Sequence, residues 1–415
     1  MKTTQTLLSL FTLALGLGAN AANQNLLLPN VSTGADGALN ATASQTIQLP
    51  DNGQLNFTTI NIGPGATITF LRNPANTPVY LLASGNVTID GTIDVSGKPA
   101  MALRGGLPGP GGYAGGMPGV DGGVPGDGLG PGAGLGGSAD GTISGGGGAF
   151  GTRGGFGCSS APPRNGPTYG SQLLMPLVGG SGGGGGLVTG GGGGGGALLV
   201  AASTKITLNG SIWAYGGSAG SASAGGGSGG AVRLLAPMIE GNGSITVDGN
   251  FGANGFGICV NAAGAGRVRC DMVERTGFNL TRTPDLAPTP ANPAAVPPTP
   301  ALLGDVAPFS IDQYLPITIP LNPPSLRLVS IGGIVVPPDA AAGYTVTLPL
   351  NAAASQPVVV EASGFGASVD VTLKLTLANG SSPAEIVDSI GNNTTKSIMA
   401  TFPPNAPVTL NVWTR

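Results

Sequence analysis

The fold of this chain is decided by one pattern that occurs three times: Val87-Thr-Ile-Asp-Gly-Thr-Ile-Asp-Val-Ser-Gly97, Ile206-Thr-Leu-Asn-Gly-Ser-Ile-Trp-Ala-Tyr-Gly216 and Ile239-Glu-Gly-Asn-Gly-Ser-Ile-Thr-Val-Asp-Gly249. Each copy holds two short alternating runs joined by Asp-Gly or Asn-Gly, and an apolar run precedes each copy. A single hairpin cannot bury an apolar face, whereas stacked repeats can. The pattern therefore predicts an all-β chain with a parallel β-helix or solenoid, in preference to three ordinary hairpins with Asp-Gly or Asn-Gly turns.

Alternate residues of a strand share one face. The equivalent isoleucines of the three copies should therefore stack into an apolar ladder inside the tube; they are Ile93, Ile212 and Ile245. The residue before the central Gly is Asp or Asn, two types that tolerate positive φ. We expect these three residues to form sharp corners between strands; they are Asp90, Asn209 and Asn242.

A glycine-rich insertion follows each copy, at about 98–196, 216–230 and 249–266. Each insertion returns through glycines into the next strand, so one surface of the stack should carry them all. Without side chains, such segments could pack closely as extended chains of the polyproline II type. They could equally be flexible loops, and the sequence leaves the two interpretations open.

The composition argues against several classes of protein. Charged residues make up 8 % of the 415 residues, the net charge is −3 and there is no His. A nucleic-acid footprint is therefore absent. The commonest general base and every Ser/His or Cys/His arrangement are also removed. The sequence predicts no cofactor, no metal and no catalytic residue.

Changes in composition suggest five segments. Residues 1–21 read as a secretory signal peptide with an apolar stretch and a small-residue cleavage site, and residues 22–54 as a lead-in or cap. The glycine-rich solenoid is predicted over 55–280, a Pro-rich linker over 281–304 and an Ig-like β-sandwich over 305–415. No later run is long enough to span a membrane, so we expect a secreted chain with no transmembrane segment after cleavage.

Three cysteines are present: Cys158, Cys259 and Cys270. In an oxidising compartment, a disulfide between Cys259 and Cys270 would close a short loop and leave Cys158 over. Pairing of Cys158 with one of the other two is also possible, and the sequence does not decide between them.

The order of segments resembles a class of secreted, glycine-rich bacterial surface proteins with a β-helix-like core. The residues that carry the resemblance are 79–97 and 225–235, and it covers roughly 55–271. It implies an exported, repetitive component of the envelope or matrix. It implies no reaction.

Acidic residues are interpreted mainly as structural. Asp94 and Asp248 could lie on an outward face, but Trp213 and Tyr215 stand around the equivalent positions of the second copy. Three aspartates in the glycine-rich loops could bind Ca²⁺ through oxygen ligands, although turn formation is the favoured interpretation; they are Asp121, Asp127 and Asp140.

Trp213 and Tyr215 are the candidate carbohydrate contacts. They share one face of a predicted strand, and exposed aromatic rings can stack on sugars. Packing under a neighbouring insertion is the alternative. Thr67 and Thr69 also suggest an ice-binding Thr ladder, but the chain does not continue this spacing as a regular Thr-x-Thr run.

Together these features predict a secreted, non-enzymatic structural or adhesive protein of the cell surface or extracellular matrix. The expected partners are a second copy of the chain or a cell-surface glycan, and not nucleic acid. The alternative is a carbohydrate-binding or carbohydrate-cleaving β-helix protein, such as a polysaccharide lyase or hydrolase.

Overall fold

The computed structural model describes residues 31–101, 103–120, 123–155, 164–221, 223–250, 262–272, 281–283, 324–337, 343–365, 367–377, 382 and 384–414. These residues form an all-β structure of three parallel and two antiparallel sheets, with no helix. In this part of the chain no helix could therefore cross a membrane.

The described residues between 38 and 283 form three parallel sheets, which we call A, B and C. Sheet A contains β1 (Ala38–Ala41), β4 (Thr59–Ile62), β7 (Val87–Ile89), β10 (Lys205–Leu208) and β13 (Met238–Glu240). Sheet B contains β2 (Gln45–Gln48), β5 (Thr67–Leu71), β8 (Thr92–Asp94), β11 (Ser211–Trp213), β14 (Ser244–Thr246) and β16 (Thr281–Thr283). Sheet C contains β3 (Gln54–Phe57), β6 (Val79–Ala83), β9 (Ala197–Ala202), β12 (Ala231–Leu235) and β15 (Arg267–Asp271).

The strands alternate among the sheets in chain order, so that almost every strand pairs with the strand three places later. All three sheets contribute to one buried hydrophobic cluster. Within sheet B, Ile93 pairs with Ile212 and Ile212 with Ile245. Each of these side chains is fully buried in the cluster. The predicted interior ladder of isoleucines is confirmed.

Sheet C is buried on both faces. One face contributes to the shared interior, and the other packs against side chains of the first glycine-rich insertion. Phe150, Leu174 and Leu177 cover Tyr80 and Leu199 on this outer side. Burial on both faces explains why the central strands β6 and β9 of sheet C are continuous apolar runs, whereas the strands of sheets A and B alternate.

Gly91 and Gly210, at the first two corners, are required by close approach and not by positive φ, whereas Gly241 at the third corner has a φ of +112°. Asp90, Asn209 and Asn242 all lie outside the left-handed region, so the expected reason for these residues is wrong. A Cβ on Gly91 would lie 2.3 Å from the carbonyl oxygen of Ala66, and one on Gly210 would lie 1.9 Å from the oxygen of Gly91. Asn209 donates a side-chain hydrogen bond to Asp90 at 2.8 Å, which links the two corners.

The described glycine-rich segments are ordered by backbone hydrogen bonds. In the segment 191–196, successive amides bond in turn to three different neighbours. The amides of residues 191 and 194 donate to the carbonyls of residues 116 and 113. The amides of residues 192 and 195 donate to the carbonyls of residues 225 and 228. The amides of residues 193 and 196 donate to the carbonyls of residues 98 and 95. A three-residue period is typical of the polyproline II helix, which has three residues per turn. Of the two interpretations of these insertions, close packing is the one that the structure supports.

Glycine is the residue that permits this packing. We call the packed, described parts of the insertions at about 98–196, 216–230 and 249–266 the glycine lattice. A Cβ on Gly192 would lie 1.9 Å from the carbonyl oxygen of Gly217, one on Gly193 2.2 Å from that of Leu107, and one on Gly194 1.9 Å from that of Gly180. These separations are far below any contact that a real Cβ makes. The segment 191–196 therefore has no room for a side chain on any of its faces.

The carboxy-terminal part forms two four-stranded antiparallel sheets, D and E. Sheet D contains β17 (Ser325–Ile331), β18 (Ile334–Val335), β20 (Ser355–Ser363) and β23 (Thr394–Thr401). Sheet E contains β19 (Gly343–Val346), β21 (Val369–Leu377), β22 (Ala384–Ile390) and β24 (Val408–Thr414). Both sheets contribute to a second hydrophobic cluster. Alternating runs in the sequence indicate six of these eight strands; they do not indicate the two-residue β18 or β22, whose residues are mostly half-buried or exposed.

The sheets begin earlier and end later than the sequence suggests. β1 and β2 lie in the predicted cap over 22–54, and β16 lies at the start of the predicted linker over 281–304. The proposed signal peptide, residues 1–21, lies outside the described residues.

Replacing Gly194 with Ala should lower the free energy of unfolding by about 1–3 kcal/mol or more, because the backbone around the new methyl group must move. Denaturant unfolding followed by circular dichroism measures this loss. Gly63→Ala is the matched control. Its Cβ would have Ala41 O as nearest neighbour at 3.3 Å, so we expect a change within about 1 kcal/mol. Equal losses in both variants would contradict a lattice closed to side chains.

Of the three cysteines, only Cys270 is among the described residues. Cys270 is 1 % exposed within the shared interior. Cys158 and Cys259 lie outside the described residues, so the Cys259–Cys270 disulfide stays a prediction. Next to them, the described chain runs antiparallel: Thr152 N donates to Ala265 O and Gly155 N donates to Ala262 O. These bonds bring positions 155 and 262 together, and in the sequence Cys158 lies three residues after the first and Cys259 three residues before the second.

We therefore expect a Cys158–Cys259 disulfide in the air-oxidised protein, with dissolved oxygen accepting the two electrons and two protons released by the thiols. Tryptic digestion without reduction, followed by mass spectrometry, tests this pairing. Cleavage after Arg153 and Arg164 isolates Cys158, and cleavage after Arg267 and Arg269 separates Cys259 from Cys270. A linked Cys259–Cys270 peptide would instead support the pairing expected from their short separation in sequence.

Candidate functional site

The predicted aromatic pair lies on the outer side of sheet B. Ile212 and Ala214 point into the interior and are fully buried, so Trp213 and Tyr215 point outward. Trp213 is 36 % exposed and Tyr215 is half-buried. Their ring centroids are 6.2 Å apart at an interplanar angle of 55°. Of the two alternatives for this pair, the exposure of Trp213 favours a surface contact.

Rows of hydroxyl groups flank the aromatic pair. Along one row Thr67 pairs in register with Thr92, Thr92 with Ser211 and Ser211 with Ser244. The Ser211 and Ser244 hydroxyls are 2.9 Å apart. Sequence reasoning missed this row because its members are consecutive across strands and not along the chain.

A second row passes through Trp213 itself. It runs from Thr46 through Thr69 and Asp94 to Trp213 and then Thr246. The Thr46 and Thr69 hydroxyls are 2.7 Å apart. The Thr-x-Thr spacing of β5 thus continues across the sheet, but an acid and an indole replace two of its hydroxyls.

Asp94 is held in place beside Trp213. Its Oδ1 accepts a hydrogen bond from the amide of Ser96 at 2.8 Å, and its Oδ2 lies 4.0 Å from Lys98 Nζ. The Ser96 hydroxyl accepts a hydrogen bond from the amide of Tyr215 at 3.1 Å. The carboxylate therefore has a fixed position and a nearby opposite charge.

The two described aspartates considered for Ca²⁺, Asp127 and Asp140, each have hydrogen-bond partners of their own. Asp121 lies outside the described residues. Asp127 accepts a hydrogen bond from the amide of Gly136 at 2.7 Å and forms an ion pair with Lys374 at 2.9 Å. Across the described ranges, no group of three or more Asp, Glu, Cys or His side chains could hold a metal ion.

Asp140 forms a local turn. Its Oδ1 accepts hydrogen bonds from the Ser138 hydroxyl, from the Thr142 hydroxyl at 2.7 Å and from the Thr142 amide at 3.0 Å. These bonds favour the ionised form and lower the pKa of Asp140 to about 2, with Ser138 as the largest cause.

We expect NMR titration to give Asp140 a pKa of about 2, and Ser138→Ala to raise this pKa towards the usual value of about 3.9. Since the folded pKa is lowered, the contribution of this group to stability is present above the unfolded pKa and is lost as the pH falls through the folded one. Ser96→Ala is the control and should leave this titration unchanged. An ordinary pKa in the unmodified protein would contradict the turn.

The carboxy-terminal sheets contact the glycine lattice through the outer face of sheet E. Lys374 is 3 % exposed and pairs with Asp127, and Trp413 meets Tyr113 edge-on with ring centroids 6.4 Å apart. Burial raises the pKa of Tyr113 to about 12, with a side-chain hydrogen bond to Thr414 opposing the rise. A cleft of about 670 Å³ lies beside this contact, and its lining includes Arg72 and Trp413. No pattern in the sequence predicted this contact.

No known protein family, curated protein or solved structure matches this chain.

Proposed function

We propose that this chain is a secreted, non-enzymatic structural or adhesive protein of a cell surface or extracellular matrix. In this proposal the three parallel sheets are the faces of a β-solenoid. Its support is the pairing of almost every strand with the strand three places later and the interior common to all three sheets. The two antiparallel sheets form an Ig-like sandwich, supported by the hydrophobic cluster that they share.

The observation that carries the structural role is the hydrogen bonding of the glycine lattice. A strand within a sheet bonds to two neighbours, whereas the segment 180–186 bonds to several. Its carbonyls accept hydrogen bonds from the amides of residues 113, 116 and 119 on one neighbouring segment and of residues 225 and 228 on another. Its amides at 180 and 183 donate to the carbonyls of residues 195 and 192 on a third. Cross-connection in several directions stiffens an assembly of extended chains. Stiffness is what a spacer or matrix component requires.

The adhesive role is supported by the aromatic and hydroxyl face of sheet B. Aromatic rings combined with hydroxyl groups can contact sugars. A carbohydrate-binding β-helix protein is therefore the second candidate function, and Trp213, with its partly exposed indole, is the residue that favours it.

Incubation of the purified protein with a panel of polysaccharides tests the non-enzymatic part of the proposal. We expect no release of reducing or unsaturated sugar ends, and we expect protein-coated beads to adhere to at least one polysaccharide surface. Release of products would instead support the carbohydrate-cleaving alternative.

Export has a separate test. Expression of the full chain and of a variant lacking residues 1–21, followed by fractionation and amino-terminal sequencing, should show export of the full chain alone and a mature protein that begins after Ala21. Retention of both forms inside the cell would contradict secretion.

A further inference from the structure

The outer face of sheet B presents polar groups at regular intervals. Neighbouring strands lie about 4.8 Å apart, and residues two apart in a strand are separated by about 6.7 Å. The second row contains Thr46, Thr69, Asp94 and Trp213 in register, and it ends at Thr246, which is buried. The four strands that carry its accessible members extend about 14 Å along the stack. The repeat therefore runs perpendicular to the strands.

This arrangement is suited to an extended ligand. Small ligands usually bind in concave pockets that enclose most of their surface, whereas this surface is a sheet face with Trp213 exposed on it. A polymer lying across the strands could contact several positions of the row at once, and linked contacts strengthen one another.

The chemistry of the row favours a polymer rich in hydroxyl groups. Hydroxyl side chains donate and accept hydrogen bonds, and a carboxylate accepts them. Thr69 is half-buried and Thr46 is exposed, so sugar hydroxyls could reach both. Trp213 provides an aromatic ring against which the apolar face of a sugar could stack.

The charges on this face favour a neutral ligand. The carboxylate of Asp94 lies 4.0 Å from the ammonium of Lys98, which is itself largely exposed. The opposite charges compensate each other, so the Asp94–Lys98 pair beside Trp213 attracts neither polyanions nor polycations strongly.

We propose that the outer face of sheet B binds a neutral polysaccharide chain that lies along the stack, across β2, β5, β8 and β11, with Trp213 as its main contact. This inference rests on the proposed adhesive function and names the class of its ligand. Asp94 accepts hydrogen bonds from the sugar next to the one stacked on Trp213, and the row of Thr67, Thr92, Ser211 and Ser244 borders the chain.

Co-sedimentation with insoluble neutral polysaccharides, namely cellulose, chitin and mannan, tests this proposal on the full chain. We expect retention on at least one of them, with short oligomers of the same sugar binding more weakly. Trp213→Ala should weaken retention at least about fivefold, and Asp94→Asn should weaken it less. Equal retention of the Trp213→Ala variant would overturn the proposal.

Matched controls lie on the outer side of sheet A. Thr59 and Asn61 are exposed residues of β4, and their replacement by Ala should leave retention unchanged. Circular dichroism and the melting temperature confirm that each variant is folded. Loss of retention in the sheet A variants, with Trp213→Ala unaffected, would place the ligand on the other sheet.

Two further measurements separate this inference from other outcomes. Stronger retention on a polyanionic polysaccharide at low salt would overturn the neutral class of ligand. Inhibition of ice recrystallisation that survives Trp213→Ala would identify the hydroxyl rows as an ice-binding surface and overturn the polysaccharide. If Trp213→Ala still adheres to polysaccharide surfaces, the inference fails while the adhesive function stands.

Discussion

The structure depends on how closely its backbone segments approach one another. At many glycines a Cβ would lie about 2 Å from a carbonyl oxygen of another segment. The same constraint operates at the corners between sheets A and B, where Gly91, Gly210 and Gly243 meet backbone or side-chain atoms of the preceding turn of chain. Glycine therefore serves here as the residue that leaves room for a neighbour, and its freedom in φ matters at only some positions.

The glycine lattice and the three sheets support each other. Phe150 and Leu174, which are carried by the first insertion, complete the burial of the outer face of sheet C. Without that cover, Tyr80, Leu82 and Leu199 would present a large apolar surface to water. Arg267 lies 5.6 Å from the centre of the Phe150 ring and donates to the carbonyl of Tyr169 at 3.1 Å, which ties the last strand of sheet C to the same insertion. The insertions are therefore part of the fold.

Sequence reasoning succeeded where side chains carry the information. The alternation around Ile93, Ile212 and Ile245 predicted their common interior, and the same alternation placed Trp213 on the outside. It could not choose between order and disorder for the glycine-rich insertions, because a run of glycines has no hydrophobic period. It also missed the hydroxyl row through Thr92 and Ser211, since those residues are 119 positions apart and meet only through register. The contact between Lys374 and Asp127 was hidden for the same reason.

The three-residue repeat of bonding in the segment 191–196 limits how its length can change. Each amide there faces one of three neighbours in rotation, and consecutive glycines offer no side chain to mark their place. An insertion of one or two residues would turn every later amide away from its partner, whereas an insertion of three would restore the rotation. Such a segment can grow or shrink in steps of one helical turn, while β9, which follows it directly, keeps its register in sheet C.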